Sequence, residues 1–339
     1  MTYTEVLNKA RECNGGICKA CPVCDGRACG NAIPGPGAKD SGDVFARNFA
    51  AWRNIRVNMD TICGDAPVDT GIELFGRKFK YPFFAAPVGA LKLHYGDKHD
   101  DLSYNDILVP ACAEAGVAAF TGDGSDPAVF TGAIAAIKNS GGLGIPTVKP
   151  WDAASVKARI DMAKEAGVMA LAMDVDAAGL PFLKNVTPAV SGKSAAELRE
   201  FAQYAGLPFI VKGIMTVAGA EKAAEAGAYA IVVSNHGGRV LDQTPATAEV
   251  LEAIADAVGG KVKIFVDGGI RSGVDIFKAL ALGADAVLIA RPYVNMVYGG
   301  GREGVAVYTE KLGRELRETM EMCGTHSLSE INKNSIFRG

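Results

Sequence analysis

Eight stretches of the chain are almost continuously apolar and rich in β-branched side chains: Lys80–Val88, Val117–Gly122, Ile145–Trp151, Met169–Val175, Pro208–Gly213, Ala230–Asn235, Lys263–Gly269 and Ala286–Pro292. Strands with no polar alternation are covered on both faces, as in a parallel sheet wrapped by helices. Between these runs, apolar positions recur at helical spacing. In Ser155–Gly167, Val156, Ile160 and Ala163 fall on one face and Gly167 stops the helix. Thr244–Gly259 and Gly273–Gly283 repeat the pattern. Glu-Ala-Gly ends helices at 114–116, 165–167 and 225–227, and Leu-Gly-Ala does so at 282–284. Each glycine suits a left-handed cap, and the next strand follows at once. Eight evenly spaced βα units predict the α/β class and a (β/α)8 TIM barrel rather than a doubly wound sheet. The residues before Lys80 are then a leader, and Val305–Cys323 is the last helix.

Composition narrows the class. The 339 residues are 49% hydrophobic and 22% charged, which excludes a disordered or polyelectrolyte chain. The longest apolar runs, such as Ala228–Val233, fall far short of the roughly 20 residues of a spanning helix. A net charge of −3 provides no basic field for nucleic acid or acidic lipid. Forty-one glycines imply many tight turns or backbone that approaches a ligand closely. Met1–Asn14 lacks a long apolar core and carries both charge signs, so it reads as mature protein. The expectation is a cytoplasmic protein whose thiols are reduced, metal-bound or redox-active. Five of the eight cysteines lie in residues 1–29, and a Gly/Pro-rich stretch follows. Residues 1–43 are therefore expected to form a cysteine-rich leader and loop, and residues 44–339 the barrel.

Barrel enzymes carry their reacting groups at the C-terminal ends of the strands. Cations and glycines converge there, which suits an anionic ligand. The segments 267–273 (DGGIRSG) and 290–292 (ARP) predict a phosphate site built from two loops and a helix start. Gly268 and Gly269 would admit the anion to the backbone, and Arg271 and Arg291 would add charge-assisted hydrogen bonds. The bland alternative is that these glycines merely turn the chain. Four histidines occur: His94, His99, His236 and His326. His236 lies at the mouth end of the sixth strand, followed by two glycines. A general base needs a pKa near neutrality and a carboxylate that orients its ring. Asp174, ending the fourth strand, is the expected carboxylate. A lone histidine is otherwise a structural residue.

The segment 234–247 (SNHGGRVLDQTPAT), with VKG at 211–213 and DGGIRSGVDIFKALALGADAVLIARP at 267–292, resembles the FMN-dependent α-hydroxy acid dehydrogenases and oxidases. Glycolate oxidase, lactate oxidase and flavocytochrome b2 belong to that family. The resemblance is strong from about Phe201 to Pro292, weaker from Asn48 to Val175, and absent in residues 1–30. It implies His236 as the base, Asp174 as its partner, Arg239 as the holder of the substrate carboxylate and Lys212 as the cation near flavin N1 and O2. It further implies FMN contacts from Val88, Gly89, Thr121, Thr147, Ser234, Gly237, Asp267, Gly268, Gly269, Arg271, Ala290 and Arg291. The implied reaction oxidises a small, lactate- or glycolate-like 2-hydroxy acid to the 2-oxo acid, with the electron pair passing to flavin N5. The electron acceptor is left open, and a homo-oligomer is implied. No G-x-G-x-x-G or Walker loop points to another nucleotide.

The chain also departs from the family pattern. A tyrosine in the leader, a tyrosine after strand 3 and an arginine after strand 4 are usual. Here those places read GPGAKD (35–40), Lys149 and AAGLPFLKN (177–185). Lys149 or Lys184 is the expected replacement cation for substrate. Alternatives remain: another FMN barrel enzyme such as type 2 isopentenyl diphosphate isomerase, or a non-catalytic flavin and cysteine redox sensor. Cys18, Cys21, Cys24 and Cys29 read C-x2-C-x2-C-x4-C, close to an iron–sulfur run. A four-cysteine zinc site or a thiol redox pair would use the same residues. Cys63, Cys112 and Cys323 sit in ordinary segments.

Overall fold

A computed structural model describes residues 1–338. Each of the eight apolar runs coincides with one strand of a closed barrel, to within a residue at the two ends where a strand extends past its run. In chain order these are β1 (Phe83–Ala85), β2 (Ala119–Thr121), β3 (Gly144–Val148), β4 (Leu171–Asp174), β5 (Phe209–Ile214), β6 (Ala230–Val233), β7 (Lys263–Val266) and β8 (Ala286–Ile289). All neighbours pair in parallel, and β8 closes on β1 through Val287–Phe83, Leu288–Phe84 and Ile289–Ala85. Apart from β5, the strands are shorter than the runs, whose C-terminal parts bend into the barrel mouth, where the chemistry-bearing residues lie.

The opposite end is plugged. An antiparallel hairpin of Ile72–Leu74 and Arg77–Phe79 crosses it. Its tip residue Phe75 packs 6.2 Å from Phe265, and Phe79 packs 5.0 Å from Phe84. Phe84 in turn meets Phe120 at 6.5 Å. Burying each such ring stabilises the fold by roughly 1.5–3 kcal/mol. The barrel interior is thus a packed core open at one end.

The helices begin where side chains can satisfy their free N–H groups. Asp152 accepts from Ser155 N at 2.9 Å and starts Ala153–Glu165, two residues ahead of the expected start. Ser272 caps Gly273–Ala281, and Asp275 reaches back to Arg271 N and Ser272 N, so this helix start faces the mouth. The final helix differs more from expectation. It runs from Arg291 to Met322 with a kink at Gly301. Glycines 299–301 suggest a break, yet Gly299 serves close packing. A Cβ there would lie 1.9 Å from Val6 O, on the N-terminal helix Tyr3–Cys13.

The leader is draped over the barrel rather than standing apart. Residues 14–42 form neither helix nor strand and cross the mouth. Lys39 N donates to Gly238 O at 2.8 Å. The helix Asp43–Asn54 follows, and strand Ile55–Val57 pairs with Ile336–Arg338. Among the described residues no helix is long and apolar enough to cross a membrane.

Candidate active site

β4 ends at Asp174, and a turn of 3-10 helix (Val175–Gly179) folds Asp176 back over the mouth. Room for Asp176 comes from β5. A bulge between Lys212 and Ile214 puts Gly213 at φ 101°, where a Cβ would lie 2.5 Å from Asp176 Cγ. His236 follows β6 with φ 56°, in the left-handed region, and its N–H donates to Ser234 Oγ at 3.1 Å. Its neighbour Asn235 exchanges two side-chain amide bonds with Asn48, at 2.8 and 3.0 Å. These contacts fix the loop and aim the imidazole into the mouth.

His236 Nδ1 lies 3.1 Å from Asp176 Oδ1. This corrects the expectation that Asp174 orients the histidine. Asp174 instead binds Lys149 Nζ at 2.5 Å. The two acids are separated by the end of the strand. Asp174 holds its β4 register, and Asp176 is turned inward by the 3-10 segment that Gly213 accommodates.

Burial sets the protonation states. The imidazole of His236 is held well below its usual pKa by burial, with Lys212, Lys149 and Arg239 adding to the effect and Asp174 opposing it. The ring is therefore neutral near pH 7. With Nδ1–H donated to Asp176, Nε2 is left as the basic atom. Burial raises Asp176 above the normal carboxylate range, against the pull of Lys212 and Lys149. Lys212 is lowered by burial but raised more by Asp176, Asp267 and Asp174, so its ammonium persists. Its Nζ stands 3.6 Å from Asp267 Oδ2.

Of these groups, Lys149, Lys212, His236, Arg239 and Asp267 face a cavity of about 290 Å³. The expected residues Val88, Gly89, Lys149, Lys212, His236, Gly237, Arg239, Asp267, Gly268, Gly269, Arg271, Ala290 and Arg291 all line it. Thr121, Thr147, Ser234 and Asp174 lie buried just behind the lining. Lys184 is exposed on the turn after Leu183 and does not line the cavity, so of the two expected replacement cations only Lys149 faces it.

The leader carbonyls engage the arginines. Arg239 Nη1 donates to Gly35 O and Gly37 O at 2.8 and 2.9 Å. Arg291 donates to Pro36 O at 2.6 Å and stacks 3.6 Å above the Phe45 ring. Arg271 Nε donates to Cys24 O at 2.8 Å. Burial and the nearby Arg291 lower Arg239 to about 10, so it stays cationic at neutral pH.

Three contributors escape a reading of the sequence. His94, on the short helix Leu91–Tyr95, accepts from Gly35 N at 3.0 Å and packs tilted against Phe182 with ring centres 5.1 Å apart. Burial, with Arg239, Lys149 and His236 nearby, pushes His94 down to about 3. Phe182 roofs the cavity. Asn48 braces Asn235 from the leader side. No local motif marks any of the three, and the VKG glycine at 213 is the one sequence signal that could have separated Asp176 from Asp174.

The four leader cysteines Cys18, Cys21, Cys24 and Cys29 are free and half-buried. Among the described residues, no three of their sulfurs come within 4.8 Å of one another. Asp174, Asp176 and His236 alone form so close a triplet of ligand atoms.

The model of the FMN-dependent dehydrogenase family matches residues 36–187 and 181–338. An L-lactate dehydrogenase of Xanthomonas campestris pv. campestris is 46% identical over 154 residues, covering 45% of this chain and 39% of that protein. A peroxisomal (S)-2-hydroxyacid oxidase of Arabidopsis thaliana is 47% identical over 130 residues, 38% of this chain and 36% of that protein. The chain thus aligns with less than half the length of these curated relatives. A mandelate oxidase variant solved with 2-hydroxy-phenylacetamide superposes with a TM-score of 0.80 at 28% identity, covering 99% of this chain and 97% of that one. With the family model spanning nearly everything after the cysteine-rich segment, and with a closed barrel whose mouth carries the paired histidine and its cations, this chain belongs to the FMN-dependent α-hydroxy acid dehydrogenase and oxidase family.

Proposed function

We propose that the protein oxidises a small 2-hydroxy acid to the 2-oxo acid, with His236 as the base. The observation that carries this reading is the neutral, Asp176-anchored imidazole facing a cavity that also presents Lys212 and Arg239. FMN, when bound, supplies a two-electron acceptor in its ring. The residues fit such a group. Thr121 Oγ1, Thr147 Oγ1 and Asp267 Oδ1 are buried without partners, which is costly unless a ligand satisfies them. Gly122 lies flat beneath the Val88–Gly89 backbone, where a Cβ would come within 2.6 Å of Gly89 N. Arg271 and Arg291 stand beside Gly268 and Gly269 at the phosphate corner.

His236 takes a proton from the substrate at Nε2, and Asp176 stabilises the imidazolium that results. Lys212 holds positive charge at the barrel end of the cavity, where negative charge develops as the acid is oxidised. Arg239 binds the substrate carboxylate. Its Nη1 is held by two leader carbonyls, so the guanidinium is oriented before substrate arrives. Lys149, ion-paired with Asp174, lines the same cavity.

The test is anaerobic mixing of the FMN-loaded protein with L-lactate, glycolate and L-mandelate while flavin absorbance is followed. Bleaching by at least one acid is expected, slowed on the order of 10²–10⁴-fold in His236→Asn with FMN retained. Wild-type protein that holds FMN yet is bleached by none of these acids would refute the reading.

A further inference from the structure

The cysteine segment is not used by the chemistry above, and its construction is unusual. Residues 14–42 contain neither helix nor strand, and the apolar side chains they bury are confined to Ala20, Pro36 and Ala38. Structureless stretches of that length inside a compact fold are uncommon, because few apolar contacts offset the entropy of ordering them. Small segments with so little core are held by disulfides or metal centres. No disulfide is present: all four cysteines are free.

The four cysteines share one short stretch, residues 18–29, and Cys18, Cys21 and Cys29 each lie within electrostatic reach of Cys24. Cys18 Sγ rests on Asn295 Oδ1 at 3.4 Å, on the final helix. Cys24 Sγ lies 3.7 Å from Arg271 Nη2, while its carbonyl accepts from Arg271 Nε. Arg291 lies within electrostatic reach of Cys29. Donors and positive charge thus face the sulfurs, as an anionic thiolate-ligated centre requires. Cys13 stands outside the group, its sulfur against Lys98 Nζ at 2.9 Å.

Spacing along the chain separates the two kinds of centre. Cys18, Cys21 and Cys24 form a C-x2-C-x2-C run, as in iron–sulfur ferredoxins, and Cys29 supplies the fourth sulfur. We propose that Cys18, Cys21, Cys24 and Cys29 ligate a cubane iron–sulfur cluster, seated on the leader side of the arginines that line the cavity. The assignment does not depend on the identity of the hydroxy acid.

The experiment uses the full chain purified anaerobically and treated with ferric iron, sulfide and excess dithiothreitol as the reductant. Iron, acid-labile sulfide, zinc and FMN are counted on the same sample. About four irons and about four sulfides per chain are expected, with an electron paramagnetic resonance signal after dithionite reduction. Cys21→Ser and Cys24→Ser should each lose most of the iron, and Cys63→Ser should keep it. Less than about a tenth of an iron per chain in the treated wild type overturns the proposal. So does one zinc without sulfide, or iron that is lost equally from Cys63→Ser. FMN content separates the two readings: a protein with full FMN and no cluster sinks this inference alone, whereas one that refuses FMN sinks the functional reading.

Discussion

At the scale of single residues, the decisive feature is which of two acids serves the histidine. Asp176 touches His236 and Asp174 touches Lys149, so their amide variants should fail differently. Asp176→Asn is expected to lower kcat on the order of 10²-fold, because the imidazolium loses its counter-charge and its orientation. Asp174→Asn should act mainly on KM, through the freed Lys149. Steady-state kinetics of the two variants on the best acid checks this, and equal losses in kcat would contradict it. The pH profile follows from the sign of the His236 shift. A base must be unprotonated, and its pKa lies well below 6.5. Thus kcat/KM should stay level from neutral pH down past 6.5 and fall only at more acid pH; an acid limb at or above 6.5 would show a histidine in a different environment. His94 titrates with the same sign but is read as stability. Burial holds it at about 3 in the folded protein, against an ordinary histidine value of 6.5. The unfolded chain therefore takes up a proton first as pH falls, and the contribution present above 6.5 is lost progressively toward 3. Urea midpoints between pH 7 and 4 should fall less steeply in His94→Gln than in the wild type. The places of His236 and Arg239 were legible from the SNHGGR block, and that of Lys212 from the separate VKG segment. Asp176 was not, because its direction depends on where β4 stops and on the space left by Gly213 on another strand.

Secondary-structure elements were legible in proportion to how local their causes are. All eight apolar runs became strands, and the Gly-ended helices stopped where left-handed caps were expected; Gly167 and Gly227 have φ of 67° and 84°. The final helix was misjudged at its start because its glycines answer to a distant partner. Gly299 faces the backbone of the helix Tyr3–Cys13, where a Cβ would sit 1.9 Å from Val6 O and 2.8 Å from Ala10 N. Gly299→Ala should therefore destabilise by roughly 1–3 kcal/mol, the usual cost of overpacking, even though alanine favours helix. Gly192→Ala, where nothing lies within 4 Å of the added carbon, is the matched control and should be close to neutral. Chemical denaturation of both variants decides the point: a neutral Gly299→Ala would mean that the N-terminal helix does not press on the final one.

At the scale of the whole molecule, the mouth of the barrel is completed by a segment far away in sequence. Leader carbonyls at residues 35–37 take the hydrogen bonds of Arg239 and Arg291, and Phe45 lies flat beneath Arg291 with the guanidinium 3.6 Å from its ring centre. None of this follows from periodicity, since the loop has none, and the Gly/Pro composition of residues 30–43 indicated only an irregular path. The consequence is that the phosphate corner should be weakened from the leader without any change to the residues that carry charge. A cation stacked on an aromatic face is stabilised by about 0.5–2 kcal/mol, depending on how dry the site is. Phe45→Leu keeps an apolar side chain but removes the ring, so Arg291 loses its platform while keeping its carbonyl partners. The Kd for FMN should then rise by roughly 3- to 30-fold in titrations followed by flavin fluorescence. At saturating FMN the rate of bleaching by substrate should be unchanged, because His236, Asp176 and Lys212 are carried by other elements. If Phe45→Leu slowed bleaching at saturation with no change in Kd, the leader would be acting on the substrate side of the cavity rather than at the phosphate corner.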